Sequence, residues 1–175
     1  MKLAIAVATT AGFVMAGCAM FESAGGGPTA KATLQPSKGS SVKGSATFTQ
    51  KGDKVEVAAS VSGLKPNQEH GFHIHEKGDC SSGDGMSAGG HFNPLGKPHA
   101  HPSTPDRHAG DMQALKADDY GNATYSATFD VITVSEGPTG IIGRGVIVHA
   151  QPDDYKTQPT GNAGARLACG VIEKG

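Results

Sequence analysis

The sequence predicts an all-β domain, a sandwich or flattened barrel whose short strands are joined by glycine-rich turns. Between Val55 and Val61, the residues Val55, Val57, Ala59 and Val61 alternate with more polar or smaller ones, as in a strand with one buried face. No segment shows the sustained 3.6-residue period of an amphipathic helix. Many short strands separated by Gly-rich turns are typical of sandwiches and barrels.

Four strands are predicted individually, in two pairs. The first pair spans residues 42–50 and 54–64 and is joined by the hairpin turn Lys51-Gly52-Asp53. The second pair spans residues 112–117 and 123–129 and is a hairpin joined by the turn at residues 118–122. Two stretches, 77–107 and 151–165, do not follow a strand pattern. Long loops of this kind in a compact domain are usually functional, so we expect them to surround a site.

The histidines are concentrated in one part of the chain. Seven of the eight lie in residues 70–108, and the eighth, His149, ends a short apolar run. His73 and His75 are separated by one residue, so in a strand both imidazoles point to the same face and their apolar neighbours to the other. His149 follows a strand-like run and is a candidate third imidazole. Imidazole suits copper and zinc, and an all-nitrogen tetragonal set favours Cu(II).

A second group of ligands lies in a loop rich in Gly and Pro. It contains three imidazoles and a carboxylate, an ordinary tetrahedral zinc set: His91, His99, His108 and Asp111. A bound metal would order a backbone that lacks regular secondary structure. Taken singly, each histidine has an ordinary alternative as a solvated or hydrogen-bonded side chain. The metal interpretation is favoured because the histidines recur together at suitable spacings.

The motifs that carry these residues resemble those of the copper/zinc superoxide dismutases of the bacterial periplasmic type. They are Gly71-Phe72-His73-Ile74-His75-Glu76, Gly89-Gly90-His91-Phe92-Asn93-Pro94, Arg107-His108-Ala109-Gly110-Asp111, Ile142-Gly143-Arg144 leading to Val148-His149, and residues 161–172. The resemblance runs from about Ala32 to Ile172. It implies a Greek-key β-sandwich or flattened eight-stranded barrel with two long functional loops.

The resemblance also implies the ligand sets. Copper would be bound by His73, His75, His91 and His149, and zinc by His91, His99, His108 and Asp111. His91 would bridge the two metals as an imidazolate, which two dications favour. The implied activity is dismutation of superoxide to oxygen and peroxide, with copper as the redox metal, zinc as a structural metal and His91 as the proton carrier.

Two uncertain histidines are interpreted from spacing and parity. His101 lies two residues after His99 and is an alternative zinc ligand, but the spacing of His99 from His91 matches the family. His70 would point to the same face of the strand as Phe72, opposite to His73 and His75. It is therefore expected to end the strand rather than to bind metal.

The resemblance assigns roles to residues around the metals. Arg166 would lie at the channel mouth, where its cationic fork guides and holds superoxide; the alternative is a surface arginine at a strand end. Asp153 would link copper and zinc histidines through their free ring nitrogens, with Asp154 beside it as a competitor. The candidates for a steering field are Arg166 and Lys156 alone.

The N-terminal residues predict export. A basic Met1-Lys2 precedes an apolar run too short to span a membrane, and Met15-Ala16-Gly17-Cys18 resembles a lipoprotein cleavage site. We therefore expect residues 1–17 to be a signal peptide, Cys18 to be acylated and residues 18–30 to form a flexible tether. An ordinary secretory signal with an incidental cysteine is the alternative. Ala19 favours the outer membrane, with the domain, residues 31–175, in the periplasm.

Cysteine count and charge add two expectations. In an exported chain the remaining pair, Cys80 and Cys169, predicts a disulfide. A formal net charge of −1 argues against a nucleic-acid partner.

The resemblance implies three partners: superoxide, a membrane reached through Cys18, and a second copy if the chain is a dimer like some bacterial members of the family.

Two other classes of protein remain as alternatives. One is a metal-binding domain without turnover, which loss of a copper ligand or of Arg166 would mark, and neither is lost. The other is a structural or adhesive surface lipoprotein in which zinc only orders a loop. The complete copper set, including His149, argues against it.

Overall fold

The computed structural model describes residues 26–175, and its regular structure is almost entirely β. The strands are β1 Thr29–Pro36, β2 Lys43–Lys51, β3 Lys54–Ser62, β4 Glu69–His70, β5 Phe72–His75, β6 Leu115–Lys116, β7 Ala123–Phe129, β8 Gly145–His149 and β9 Arg166–Lys174. A three-residue 3-10 helix, Met86–Ala88, is the only helix in this part of the chain. The all-β prediction is confirmed. None of the helical structure in residues 26–175 is long and apolar enough to cross a membrane.

Seven strands form one antiparallel sheet in the order β5-β8-β9-β1-β2-β3-β7. The short strands β4 and β6 pair with each other. Because β4 is separated from β5 only by Gly71 and β6 packs beside β7, the short pair stands between the two edges of the long sheet. If β4 and β5 are counted as one interrupted strand, eight strands curl around the core, in agreement with the expected flattened barrel.

The first predicted hairpin is present. β2 and β3 pair from Lys43↔Ser62 to Lys51↔Lys54, and Gly52 adopts a left-handed φ of +61° in the turn between them. Along β3 the residues alternate between buried and exposed, as the sequence pattern predicts. The buried face contributes to one continuous apolar core, whose largest members are Phe48, Phe72, Leu34, Ile74, Met112, Leu115, Ile132, Ile141 and Ile172.

The second predicted hairpin is only partly correct. β7 matches residues 123–129, but the expected strand over 112–117 is reduced to Leu115–Lys116, which pairs with β4 rather than with β7. The turn at 118–122 does form, with Asp118 N–H donating to the Asn122 carbonyl at 2.8 Å. The backbone N–H of Ala114 is used by the hydroxyl of Tyr155, a partner distant in sequence, so the strand cannot extend there.

The predicted signal segment, Cys18 and residues 18–25 of the predicted tether lie outside the described residues. The end of the tether is different from the prediction, because β1 begins at Thr29 and Ala30 is only 1 % exposed. Thr29 pairs with Thr49, and Ala30 with both Phe48 and Lys174. The small residues before position 31 resemble a linker in composition, but these backbone pairs join the last of them to the sheet.

The two stretches without a strand pattern are loops, as predicted. The first runs from β5 toward β6 and carries the short helix, and the second connects β8 to β9. Both begin at strands that carry histidines, His75 on β5 and His149 on β8. The fold therefore brings both loops to the edge of the sheet formed by β5 and β8.

Candidate metal centre

β5 places two imidazoles on one face of the sheet. His73 and His75 are fully buried, and the alternate residue Phe72 points into the apolar core, where its ring meets Tyr125 edge to face at 5.3 Å. The expected alternation of histidines and apolar residues along this strand is thus observed. His73 lies opposite Ile147 of β8, so the neighbouring strand fixes the register of the pair.

β8 brings His149 beside this pair. Its backbone N–H donates to the carbonyl of Gly71 at 2.8 Å, at the point where β4 gives way to β5. Gly71 permits this close approach, because a Cβ there would lie 2.8 Å from Cβ of Ala163 and 3.1 Å from Cε1 of His73. A backbone hydrogen bond therefore holds the distant His149 beside His73.

A cluster of four imidazoles is completed by His91, which forms an isolated bridge with His75. One ring nitrogen from each residue lies within 4.8 Å of those of the others, and all four residues are buried: His73, His75, His91 and His149. Nδ1 of His73 and Nε2 of His91 are buried and have no hydrogen-bond partner. Unpartnered buried nitrogens are costly unless a ligand fills the space between them, so they fit a bound metal ion.

The other ring nitrogens are occupied by the protein. Nε2–H of His73 donates to Oδ2 of Asp153 at 2.7 Å, and Nδ1–H of His75 donates to the carbonyl of Gly89 at 3.0 Å. Nδ1–H of His149 donates to the carbonyl of Gly164 at 3.3 Å. These contacts set the tautomers, and they leave Nε2 of His75 and Nε2 of His149 facing each other at 3.4 Å.

Burial keeps these rings neutral, as metal ligands must be. It lowers the pKa of His75 and of His149 well below the ordinary histidine value, and neighbouring imidazoles lower both further. Burial and the adjacent His73 lower the pKa of His91 to about 3. Four neutral nitrogens in one pocket are a donor set that suits copper.

The second predicted ligand set also comes together. His91, His99, His108 and Asp111 present one ligand atom each within 4.8 Å of one another, and all are buried. Nδ1 of His91 and of His99 each lie 2.9 Å from Oδ1 of Asp111, and Nδ1 of His108 lies 3.5 Å from it. Three imidazoles and one carboxylate in this arrangement fit a tetrahedral zinc ion.

The backbone of the loop orients Asp111. Its Oδ2 accepts hydrogen bonds from the N–H groups of Ala100 and His108 at 3.1 and 3.0 Å, which leaves Oδ1 for the cluster. Burial alone would raise the pKa of Asp111, but His108, His91 and His99 lower it well below its usual range. Burial opposes protonation of His99, but Asp111 and Asp153 outweigh it and raise its pKa to about 9. The cluster thus holds a carboxylate anion ready for a cation.

Asp153 connects the two clusters. Besides its contact with His73, it accepts a 2.9 Å hydrogen bond from Nε2–H of His99 through Oδ1. The competing Asp154 is exposed and instead accepts hydrogen bonds from Lys156 and Thr157 in its own turn. The geometry therefore distinguishes two neighbouring aspartates that the sequence leaves in competition.

Arg166, the first residue of β9, lies beside the four-imidazole cluster. Its Nη1 donates to the carbonyl of Gly85 and its Nη2 to that of Gly89, both at 2.6 Å. The Gly89 carbonyl also accepts a hydrogen bond from His75, so this one oxygen links Arg166 to a predicted copper ligand. Sequence reasoning missed these acceptors, because a backbone carbonyl has no residue-type signal. Lys156 is exposed.

The predicted disulfide is present. Cys80 and Cys169 are bonded, with Cα atoms 5.8 Å apart, and they join the loop after β5 to β9. Cys169 lies only three residues after Arg166, and Cys80 precedes the Gly85 carbonyl that holds this arginine. The disulfide therefore fixes the loop next to the arginine.

Two histidines are outside both clusters. Nδ1 of His101 lies 2.8 Å from the hydroxyl of Ser103, and its ring meets Tyr155. His70 belongs to β4 and its Nδ1–H donates to the carbonyl of His149 at 2.8 Å. The choice of His99 over His101, and the exclusion of His70, agree with this geometry.

Gly161 is another residue whose importance the sequence does not reveal by type. It has a left-handed φ of +66°, and a Cβ there would overlap with Oδ1 of Asp153 and lie 2.6 Å from Nε2 of His99. The link between the clusters is possible only because this position is glycine. In the sequence, only its place in the Gly161-Asn162-Ala163-Gly164 motif points to this position.

Comparisons with known proteins agree with this site. The model of the family "Copper/zinc superoxide dismutase (SODC)" matches residues 42–172. A curated relative, superoxide dismutase [Cu-Zn] 2 of Brassica juncea, is 47 % identical over 148 residues, which is 81 % of this chain and 94 % of the relative. The superoxide dismutase [Cu-Zn] of Paramecium bursaria Chlorella virus 1 is 44 % identical over 137 residues, covering 75 % of this chain and 72 % of that protein.

A solved structure is similar as well. The crystal structure of the clock protein EA4 superposes with a TM-score of 0.76 at 44 % sequence identity, covering 83 % of this chain and 93 % of that one. The family match spans most of the chain and includes every residue of the two ligand clusters. The chain belongs to the copper/zinc superoxide dismutase family.

Proposed function

We propose that this protein converts superoxide to oxygen and hydrogen peroxide, with copper at the four-imidazole cluster and zinc at the His91–Asp111 cluster. The observation that carries the proposal is the position of His91. Its Nδ1 faces the carboxylate of the second cluster, and its buried, unpartnered Nε2 faces the first. An imidazole with one nitrogen in each cluster is suited to share two dications as an imidazolate.

The metals would have different tasks. Bound copper would supply one-electron chemistry, oxidising one superoxide to oxygen and reducing a second, which takes up two protons and becomes hydrogen peroxide. Zinc has no redox chemistry and would hold the loop and the orientation of His91.

The chain's own residues would supply positioning and a proton. Nε2 of His91 is the atom proposed to take a proton and give it to the reduced substrate, while Nδ1 stays with the zinc cluster. Arg166 would hold the anion, since its guanidinium is oriented by the carbonyls of Gly85 and Gly89 and is only partly buried. With two donors fixed by the protein, the remaining N–H groups are available to superoxide.

We further propose that the protein acts in the bacterial periplasm as a lipoprotein of the outer membrane and protects the cell envelope from superoxide. The supporting features are the basic start, the short apolar run and the Met15-Ala16-Gly17-Cys18 motif. The disulfide is in keeping with an oxidising compartment. Several acyl chains on Cys18 would give firm anchoring.

Two experiments test these proposals. The protein loaded with copper and zinc should bind one of each per chain and dismutate superoxide rapidly. Binding of both metals without turnover would favour the metal-binding alternative. Separately, cells that express the full chain should incorporate labelled palmitate into it, and Cys18→Ser should abolish the label. A Cys18→Ser protein that keeps the label would contradict the anchor.

A further inference from the structure

A cleft of about 340 Å³ lies on the side of the domain where the zinc-ligand loop meets the ends of β3 and β7. Its walls include Lys54, Ser103, Arg107 and Asp130. None of the residues in the two metal clusters lines it. The cleft is therefore separate from the proposed metal centre, although Arg107 directly precedes the zinc-type ligand His108.

Arg107 is buried at the edge of this cleft with its hydrogen bonding incomplete. The residue is 8 % exposed; its Nη1 donates to the Thr104 carbonyl at 2.9 Å and its Nη2 to Oδ1 of Asp130 at 2.7 Å. Its Nε is buried and has no partner. Along one edge of a guanidinium, Nε–H and Nη2–H can donate together to two oxygens of an anion. In Arg107 only Nη2–H of this edge has an acceptor.

Asp130, which accepts the hydrogen bond from Nη2 of Arg107, can be displaced by another anion. Its side chain is 63 % exposed, whereas that of Arg107 is 7 % exposed, so the carboxylate can turn into solvent while the guanidinium stays in place. Withdrawal of Asp130 would free Nη2–H, which lies beside the unpartnered Nε–H. Arg107 could then donate from both Nε–H and Nη2–H to an anion in the cleft.

The local charge also favours an anion. Lys54 and Arg107 are both cationic and line the cleft, and Asp130 is the only acidic residue among its lining residues. The hydrogen bond from Arg107 and the charges of Arg107 and Lys54 lower the pKa of Asp130. Glu56, the next acidic residue along β3, is paired with Lys51 at 4.0 Å. The lining thus has one positive charge in excess.

We propose that this cleft binds a small oxyanion of the phosphate class, which replaces Asp130 on Nη2 of Arg107, bonds Nε of the same residue and is attracted by Lys54. Phosphate has several oxygens at the spacing of a guanidinium fork and carries enough charge to compete with a carboxylate. Because Arg107 adjoins His108, the bound anion would also restrain the zinc-ligand loop. The proposal does not depend on dismutase activity.

The test follows the Arg107 Nε–H signal by ¹H–¹⁵N NMR in the protein loaded with zinc and reduced copper. Inorganic phosphate is titrated against sodium chloride of equal ionic strength. We expect a saturable shift with phosphate alone. Lys54→Gln should weaken binding about two- to fivefold, and Asp130→Asn should strengthen it by a similar factor, because each alters one charge beside the anion. Lys43→Gln, the same charge change outside the cleft, should leave the affinity unchanged.

Several results would overturn the proposal. The first is no phosphate-specific shift of Arg107 Nε–H. The second is a shift that chloride reproduces, since this would report ionic strength. The third is equal weakening by Lys54→Gln and Lys43→Gln, and the fourth is weaker binding in Asp130→Asn, because the carboxylate would then not be a competitor.

Discussion

Nε2 of His73 and Oδ2 of Asp153 are 2.7 Å apart, although the two residues are 80 positions apart in sequence. The second oxygen of the same carboxylate is 2.9 Å from Nε2 of His99, which belongs to the other cluster. One buried carboxylate therefore orients an imidazole of each proposed metal site. Contacts of this kind commonly decide how well a ligand set holds its metal.

Asp153→Asn should weaken binding of both metals, although it removes no proposed ligand. We expect affinities about 10- to 100-fold lower, since an amide cannot accept equally from both histidines. Competition with chelators of known affinity measures each metal separately. Asp154→Asn is the matched control, because that side chain contacts only its own exposed turn. Unchanged affinities in Asp153→Asn would contradict the connecting role.

Arg166→Gln should lower kcat/KM for superoxide by about 10- to 100-fold while copper and zinc contents stay constant, because the anion loses its cationic guide. Arg166→Lys should recover only part of the loss, since an ammonium keeps the charge but cannot reproduce a fork held by two carbonyls. Pulse radiolysis at several salt concentrations measures both. Full activity in Arg166→Gln would exclude this residue from substrate binding.

Gly161→Ala should disrupt the zinc cluster. The new Cβ would overlap with Oδ1 of Asp153 and press on Nε2 of His99, in addition to the strain of a positive φ. Gly39→Ala is the matched control, since Gly39 has a φ of +82° and nothing within 4 Å of a built Cβ. Both variants should lose about 1 kcal/mol from strain, but only Gly161→Ala should also lose zinc affinity in a chelator titration. Equal zinc affinity in the two variants would contradict the steric argument.

Removal of the disulfide should destabilise the fold strongly. The bond closes a segment with a sequence separation of 89 residues, for which the chain-entropy model gives about 4–5 kcal/mol. We expect the double variant Cys80→Ser, Cys169→Ser to show this loss in the free energy of unfolding by guanidinium. Unmodified protein under reducing conditions should match it. A loss below about 1 kcal/mol would show that the unfolded chain gains little freedom.

Much of the site was predictable from residue types, because imidazoles and a carboxylate at chelating spacings are rare by chance and strand parity places His73 and His75 together. What was not predictable depends on partners that are distant in sequence or on backbone atoms. The carbonyls of Gly85 and Gly89 that hold Arg166 have no signal in residue type.

The ends of two strands were also not predictable from the local sequence. The strand expected over 112–117 is cut short where Ala114 bonds the Tyr155 hydroxyl. The tether ends early because Thr29 and Ala30 pair with β2 and with the last strand. Local composition resembles a strand in the first case and a linker in the second, and tertiary hydrogen bonds overrule both.

The central claim is that His91 belongs to both metal sites, and magnetic coupling tests it most directly. Protein is loaded with Cu(II) at the four-imidazole cluster and Co(II) in place of zinc, and the Cu(II) EPR signal is recorded. A shared imidazolate should couple the two spins, so the Cu(II) signal should disappear, and it should return when zinc replaces cobalt. A Cu(II) signal of full intensity with both metal ions bound would contradict the bridge.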